Sequence, residues 1–282
     1  MEPNQKIISS IIERFVKETE RIDKLKGSLV EALDIKAREV VSLVGAGGKT
    51  TLLFRLAKEL VLGGKKVVTT TTTKILEPTS EETPILFIDP DGEKIGRFIE
   101  DHIHQYSHIT IARERLESGK LKGISTDYVD SLCDSYWVDM VIVEADGASR
   151  HPVKAPRQGE PVIPSRTTLV VALLGIDGME AELNGEHVFQ PELVSKMTGI
   201  PLGGRMTDEG MAVLMTHPEG IFKGTPSTAR VVAFLNKVDI PNGISKAKRV
   251  AQKILEKKNR QIERIILGQL KKEPPVVGVI LQ

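Results

Sequence analysis

The chain has almost no cysteine: 282 residues hold one, Cys133, so no disulfide can form within it. Cys133 lies in a helix-like run before an apolar strand, with no base near it in sequence, and reads as a small core hydrophobe. The chain also lacks an excess of charge. With 39 Lys+Arg against 38 Asp+Glu the formal net charge is +1, which leaves no electrostatic footprint for nucleic acid. No apolar run follows a basic start, so no leader is expected. The longest apolar run, Leu169 to Leu174, is far short of the ~20 residues needed to cross a bilayer. No membrane partner and a cytoplasmic location are the expectations. Internal repeats and low-complexity tracts are absent too.

What is present changes character along the chain. Residues 1–34 are charged and helix-periodic, with Ile7, Ile11, Phe15, Ile22 and Leu25 near one face. They read as an N-terminal extension of one or two amphipathic helices added to the front of the main domain; the alternative is a docking or dimerising helix with no chemistry. Residues 35–282 read as one α/β domain. "EVVSLVG" is a β-branched run, "KTTLLFRLAKELVLGG" is helix-periodic with a glycine stop, and "KKVVTTTTT" is β-rich again. That strand–loop–helix–strand unit predicts a mostly parallel sheet with helices on both faces. Further strands are expected at 84–89, 108–112, 137–145, 169–177, 230–236, 263–268 and 276–281. Segment 178–228, rich in Gly, Pro and Met, breaks the rhythm and reads as an irregular insert with short helices and loops.

One more absence is chemical. "LVGAGGKTT" has the Gly48-Lys49-Thr50 of a phosphate-binding loop, but Leu43 stands where the first glycine belongs. The physical requirements survive the loss. Backbone N–H groups of Gly45, Ala46, Gly47, Gly48 and Lys49 can form an anion nest, and the helix opening at Thr50 and Thr51 favours phosphate. Lys49 supplies charge and the Thr50 hydroxyl can ligate Mg²⁺. The loop of the Mur-type ligases is similar and also lacks that glycine. The alternative is an ordinary glycine-rich turn before a helix.

Two further motifs come in order. "DMVIVEADG" ends an apolar strand in Glu144, Asp146 and Gly147, carboxylates able to hold a metal ion or its water. The Glu-x-x-Gly spacing is similar to that of the metal-insertion GTPases that mature urease and hydrogenase. The alternative is a solvated strand end and a turn. "VVAFLNKVD" runs a strand into Asn236, Lys237 and Asp239, the spacing of the guanine-reading motif. A carboxylate at Asp239 would accept from guanine N1 and N2, a donor pair that adenine lacks. GTP is therefore the first expectation and ATP the second. At the end of the second strand, Thr72, Thr73 and Lys74 lie where parallel sheets bind ligands, although β-branched residues also suit a strand by propensity alone. In "SRHPVKAP", Arg150, His151 and Lys154 sit in a proline-restrained loop, either placed for a second anionic substrate or as a solvated basic loop. "HPEGIFKG", with His217, Glu219 and Lys223, is a similar loop without an assignable role. His102, His104 and His108 read as a solvated helical face, because too few ligands accompany them for a metal site.

Taken together, "LVGAGGKTTLLFRLAKEL", "VVTTTTTKI", "VIVEADGASRHPVKAPRQGEPVIP", "HPEGIFKGTPSTARVVAFLNKVD" and "ILGQL" resemble the YqeC family over about residues 30–282. Its members are described as accessory proteins of selenium-dependent molybdenum hydroxylases or as selenium cofactor biosynthesis proteins. The resemblance implies a P-loop NTPase-like fold and a client molybdenum hydroxylase or cofactor-handling protein as partner. Three activities fit: an NTPase that delivers a cofactor, a ligase- or kinase-like enzyme with a small-molecule acceptor, and a non-hydrolysing adaptor. A homodimer is compatible with all three.

Overall fold

The computed structural model describes residues 27–281. The expected amphipathic stretch of residues 1–26 lies outside the described residues. The residues just after it are already core. Ser28 caps the short helix α1 (Leu29–Ala32), accepting from the Glu31 N–H, and Leu29, Ala32 and Leu33 are fully buried. Residues 27–34 therefore pack with the α/β domain, and do not stand apart from it.

Strand β1 (Glu39–Gly45) buries all seven residues and feeds helix α2 (Lys49–Leu62). Leu52, Leu53, Leu56, Ala57 and Leu60 recur at helical spacing and are buried, each removal from water worth roughly 1.5–3 kcal/mol for a large side chain. Gly63 caps the helix, its N–H reaching back to the Glu59 carbonyl. Then come β2 (Val67–Thr71), β3 (Lys74–Leu76), β4 (Leu86–Ile88), helix α3 (Gly92–Tyr106) and β5 (His108–Ala112). Asp91 caps α3, and Ile95, Ile99 and Ile103 form its buried stripe. His108 is not on this helix. Ser107 ends it in the left-handed conformation and His108 opens β5, buried against Thr69.

After β6 (Glu114–Arg115), β7 (Lys120–Lys122) and α4 (Thr126–Leu132), strand β8 (Met140–Glu144) enters the centre of the sheet. Cys133 caps α4 and is only half-buried, packed against a hydrophobic cluster and not inside it, with burial pushing its thiol up. Short β9 (Val153–Lys154) precedes β10 (Leu169–Gly175). The 178–228 segment holds β11 (Val188–Phe189), α5 (Pro191–Thr198) and α6 (Asp208–Thr216). Strand β12 (Arg230–Asn236), helix α7 (Gly243–Glu256), β13 (Ile262–Gly268) and β14 (Val276–Leu281) complete the chain.

The main sheet has the order β14-β13-β12-β10-β1-β8-β2-β5-β4 and is parallel except where β14 joins β13. Its strands are apolar almost throughout because helices cover both faces. Val41 and Leu43 of β1 meet α2 on one side, and Val44 joins the cluster of α6 and α7 on the other. The topology matters for function at one point. β8 pairs directly beside β1, with Leu43 opposite Glu144, so the loop leaving β1 and the carboxylates at and just past the end of β8 meet at the C-terminal ends of two central strands. Leu43 thus sits inside the sheet, and the loop proper begins two residues later.

Candidate functional site

The loop Gly45–Gly48 turns so tightly that its three glycines leave no room for a side chain. Gly47 has φ +82°, and a Cβ there would lie 2.3 Å from the Gly175 nitrogen. Gly48 has φ +132°, and a Cβ would strike the Asn236 amide at 2.4 Å. Both conformations are ones that L side chains rarely adopt.

The donors of this loop divide into two sets. Gly45 N–H donates to the Asp146 carboxylate at 3.0 and 3.1 Å, Ala46 N–H to Leu173 O at 2.9 Å, and Gly47 N–H to His151 O at 3.1 Å. These three are spent on holding the loop. The anion nest expected over Gly45 to Lys49 is therefore displaced towards the helix. Gly48, Lys49, Thr50 and Thr51 offer N–H groups with no acceptor among the described residues, and Gly48 provides no side-chain cap. A helix end left open in this way is an anion-binding site in waiting.

Lys49 is 4% exposed. Its ammonium donates to Gly45 O at 2.7 Å and pairs with Asp146 at 3.3 Å and Glu144 at 3.7 Å. Burial works against its charge, but Asp146 and Glu144 outweigh that and hold its pKa above the ordinary value. Thr50 Oγ1 donates to Glu144 Oε2 at 2.7 Å. Burial pushes the Glu144 carboxyl up, against the pull of Lys49 and Thr50. The Thr50 hydroxyl and the Glu144 carboxylate are hard oxygen donors side by side. Such a pair fits Mg²⁺, which takes one or two protein oxygens and completes its shell from water and phosphate. Among the described residues no group of three or more His, Cys, Asp or Glu could hold a metal ion unaided.

Asp146 is placed differently from the expectation that it shares the metal. It is fully buried, and its oxygens are occupied by the Gly45 N–H, Lys49 and the Lys154 ammonium at 2.8 Å. It clamps the loop. Lys154, expected to face a second substrate, is likewise withdrawn. It has no exposed surface and donates to Asp146, Gly147 O at 2.7 Å and Glu160 at 3.0 Å. The other residues grouped with it are more open. His151 faces Ala148 O and Gly185 O, each at 3.1 Å, while Arg150 is exposed and has no partner among the described residues. Ser149 and Arg150 both have positive φ, +46° and +65°, in a turn closed by His151 N–H to Ala148 O. Non-glycine residues in that region carry strain of about 1–3 kcal/mol each. They line a cleft of about 340 Å³ together with Asp177, Glu186 and His187.

At the β2 end, Thr72 Oγ1 donates to Val162 O at 2.7 Å, Thr73 bonds back to Thr71, and Lys74 is exposed. Their hydroxyls are engaged by the fold and Lys74 points to solvent. Beyond β12, Asn236 bridges the site: its Nδ2 donates to Gly47 O at 2.7 Å and its Oδ1 accepts from Leu270 N–H at 3.1 Å. Lys237, at φ +64°, pairs with Asp177 at 2.6 Å. Asp239 is exposed and has no hydrogen bond or ion pair among the described residues. Three participants were not read from sequence: Asp177, Glu160 and the Leu270 N–H. Asp177 follows an apolar strand just as Glu144 does, a signal that could have found it. The others carry no local signature.

The loop, its flanking helix and the carboxylate on the adjacent strand make this a P-loop NTPase-like α/β fold. The family model described as YqeC protein matches residues 41–192. The uncharacterized protein YqeC of Escherichia coli (strain K12) is 30% identical over 244 residues, covering 86% of this chain and 91% of that protein. Among solved structures, the hydrogenase maturation factor HypB from Archaeoglobus fulgidus is similar at TM-score 0.41 and 14% identity, covering 87% of this chain and 88% of its own. The signal recognition particle 54 kDa protein from Aeropyrum pernix K1, in complex with GDP, is similar at TM-score 0.37 and 17% identity, covering 86% and 44%.

Proposed function

The chain belongs to the YqeC family, and from that footing we propose that it binds a nucleoside triphosphate with Mg²⁺, GTP before ATP, and acts as an accessory protein. The observation that carries this reading is the Thr50–Glu144 pair beside four open N–H groups and a buried lysine. Lys49 and the N–H groups of Gly48 to Thr51 take the phosphates. Thr50 and Glu144 hold the metal ion, which when bound neutralises charge developing on the phosphoryl oxygens. Asn236 locks the loop to β12 and leaves Asp239 at the surface, free to accept from the two guanine donors. Adenine lacks that donor pair and would gain nothing from the carboxylate, which favours GTP. From the family resemblance, the client is a selenium-dependent molybdenum hydroxylase or a protein that handles its cofactor.

A second reading draws on the cleft. Arg150 and His187 line it without side-chain partners, next to the His151 carbonyl that anchors Gly47. A kinase- or ligase-like enzyme needs an acceptor site of this kind beside the phosphates. Calorimetric titration with non-hydrolysable GTP and ATP analogues plus Mg²⁺ tests the reading. GTP binding lost in Lys49→Ala is the expected result, and no binding of either nucleotide overturns it. Turnover only with an added small-molecule acceptor would favour the second reading.

A further inference from the structure

A lysine with no exposed surface needs a reason. The three ammonium protons of Lys154 meet three acceptors: Asp146 Oδ2 at 2.8 Å, Gly147 O at 2.7 Å and Glu160 Oε2 at 3.0 Å. Two of the three belong to the short segment that leaves β8. Asp146 in turn receives the Gly45 N–H and pairs with Lys49, so a single carboxylate separates the buried lysine from the phosphate-loop lysine.

The segment that Lys154 holds has open donors of its own. The N–H groups of Asp146, Gly147 and Ala148 have no acceptor among the described residues. Consecutive unpaired N–H groups form a concavity for an anion. Gly147 also has room in front of it: a Cβ there would meet nothing within 4 Å. Glu144, which begins the segment, bonds Thr50 at the head of α2. Two sets of free donors, 48–51 and 146–148, thus flank the Thr50–Glu144 pair.

We propose that Lys154 is a positioning residue for the terminal phosphate of a bound triphosphate. By gripping the Asp146 carboxylate and the Gly147 carbonyl, it fixes the direction in which the Gly147 and Ala148 N–H groups point. Glu160 completes the grip from the far side of the proline-restrained loop. The role rests on the nucleotide reading above. A purely structural lysine would differ in one respect: its loss would weaken diphosphate and triphosphate binding alike.

The test compares Mg²⁺ with GDP and Mg²⁺ with a non-hydrolysable GTP analogue, by calorimetry on the full chain. Wild type, Lys154→Met and Glu160→Gln are measured, with the adenosine pair in parallel. The wild type is expected to prefer the triphosphate. Lys154→Met is expected to cut that preference at least tenfold with GDP affinity held within about threefold. Glu160→Gln keeps two of the three acceptors intact and is expected to cut it less. Should Lys154→Met fail to fold, Glu160→Gln alone decides. An unchanged preference in the variants overturns the positioning role and leaves the nucleotide reading standing. Equal wild-type affinity for both nucleotides overturns it as well. No binding of any nucleotide overturns both.

Discussion

The two ends of β1 use similar groups in opposite ways. At its start, Glu39 is 6% exposed and fully employed: it accepts from Arg230 at 2.6 Å, from the Lys36 N–H at 2.9 Å and from Thr168 at 3.4 Å. Arg230 and Arg264 then tie Asp34 and the α1 carbonyls to the sheet, with Arg264 Nε the one buried side-chain atom left unpaired among the described residues. At its end, Gly45 leads into one run of unpaired N–H groups, and a second run leaves the neighbouring β8 just past an equally buried Glu144. Both ends bury a carboxylate, so burial does not distinguish structure from function. Satisfaction does. A buried polar group is ordinarily paired, and unpaired donors gathered around a buried charge mark a place built for something else.

The contrast breaks most sharply if a change at one end acts at the other. Lys49→Ala is expected to lower Mg²⁺-nucleotide affinity about 100-fold or more by calorimetry, with Glu39→Gln moving it less than about threefold. An equal loss in both would dissolve the distinction. Glu39→Ala leaves Arg230 with only its longer ion pairs to Asp34 and Glu263, and is expected to cost about 1–3 kcal/mol in denaturant unfolding. The surviving folded protein should bind nucleotide normally. Away from both ends, burial holds the His108 imidazole down at about 4, from 6.5. A depressed folded value means the stability is whole above pH 6.5 and is lost as pH falls towards 4. By the linkage relation this amounts to roughly 3 kcal/mol. Unfolding curves at pH 7 and pH 4 should show it, and His108→Gln should flatten it. The smallest effect sharpens the reading of the open end: Asp239→Asn is expected to lower GTP affinity about tenfold and leave ATP unchanged.

The element order was legible because buried parallel strands are apolar runs and their helices are periodic. "RVVAFLN" and "VVGVIL" are strands over their whole quoted lengths. The histidine trio was less legible: Ser107 breaks the helix by adopting φ +58°, a choice that a polar residue near a helix end does not announce. In the site, Lys49, Thr50 and Glu144 meet as the loop and strand-end motifs suggest, since both lie at the C-terminal ends of adjacent strands. Asp146 and Lys154 illustrate the limit. Two residues apart in "EADG", Glu144 and Asp146 look interchangeable. Residues two apart on a strand share a face, but β8 ends at Glu144, and Asp146 lies in the turn beyond it, where the Gly45 N–H and a lysine folded inward eight residues on take its carboxylate.

The sequence by itself determined the sheet, the phosphate-loop signature and the order of the three motifs, because periodicity and spacing are local. Only the tertiary structure decided which donors remain open, which carboxylate faces Thr50, and that Lys154 is buried. Those depend on β8 sitting beside β1 and on the 152–161 loop closing over Asp146, contacts whose partners no local pattern of residues can name.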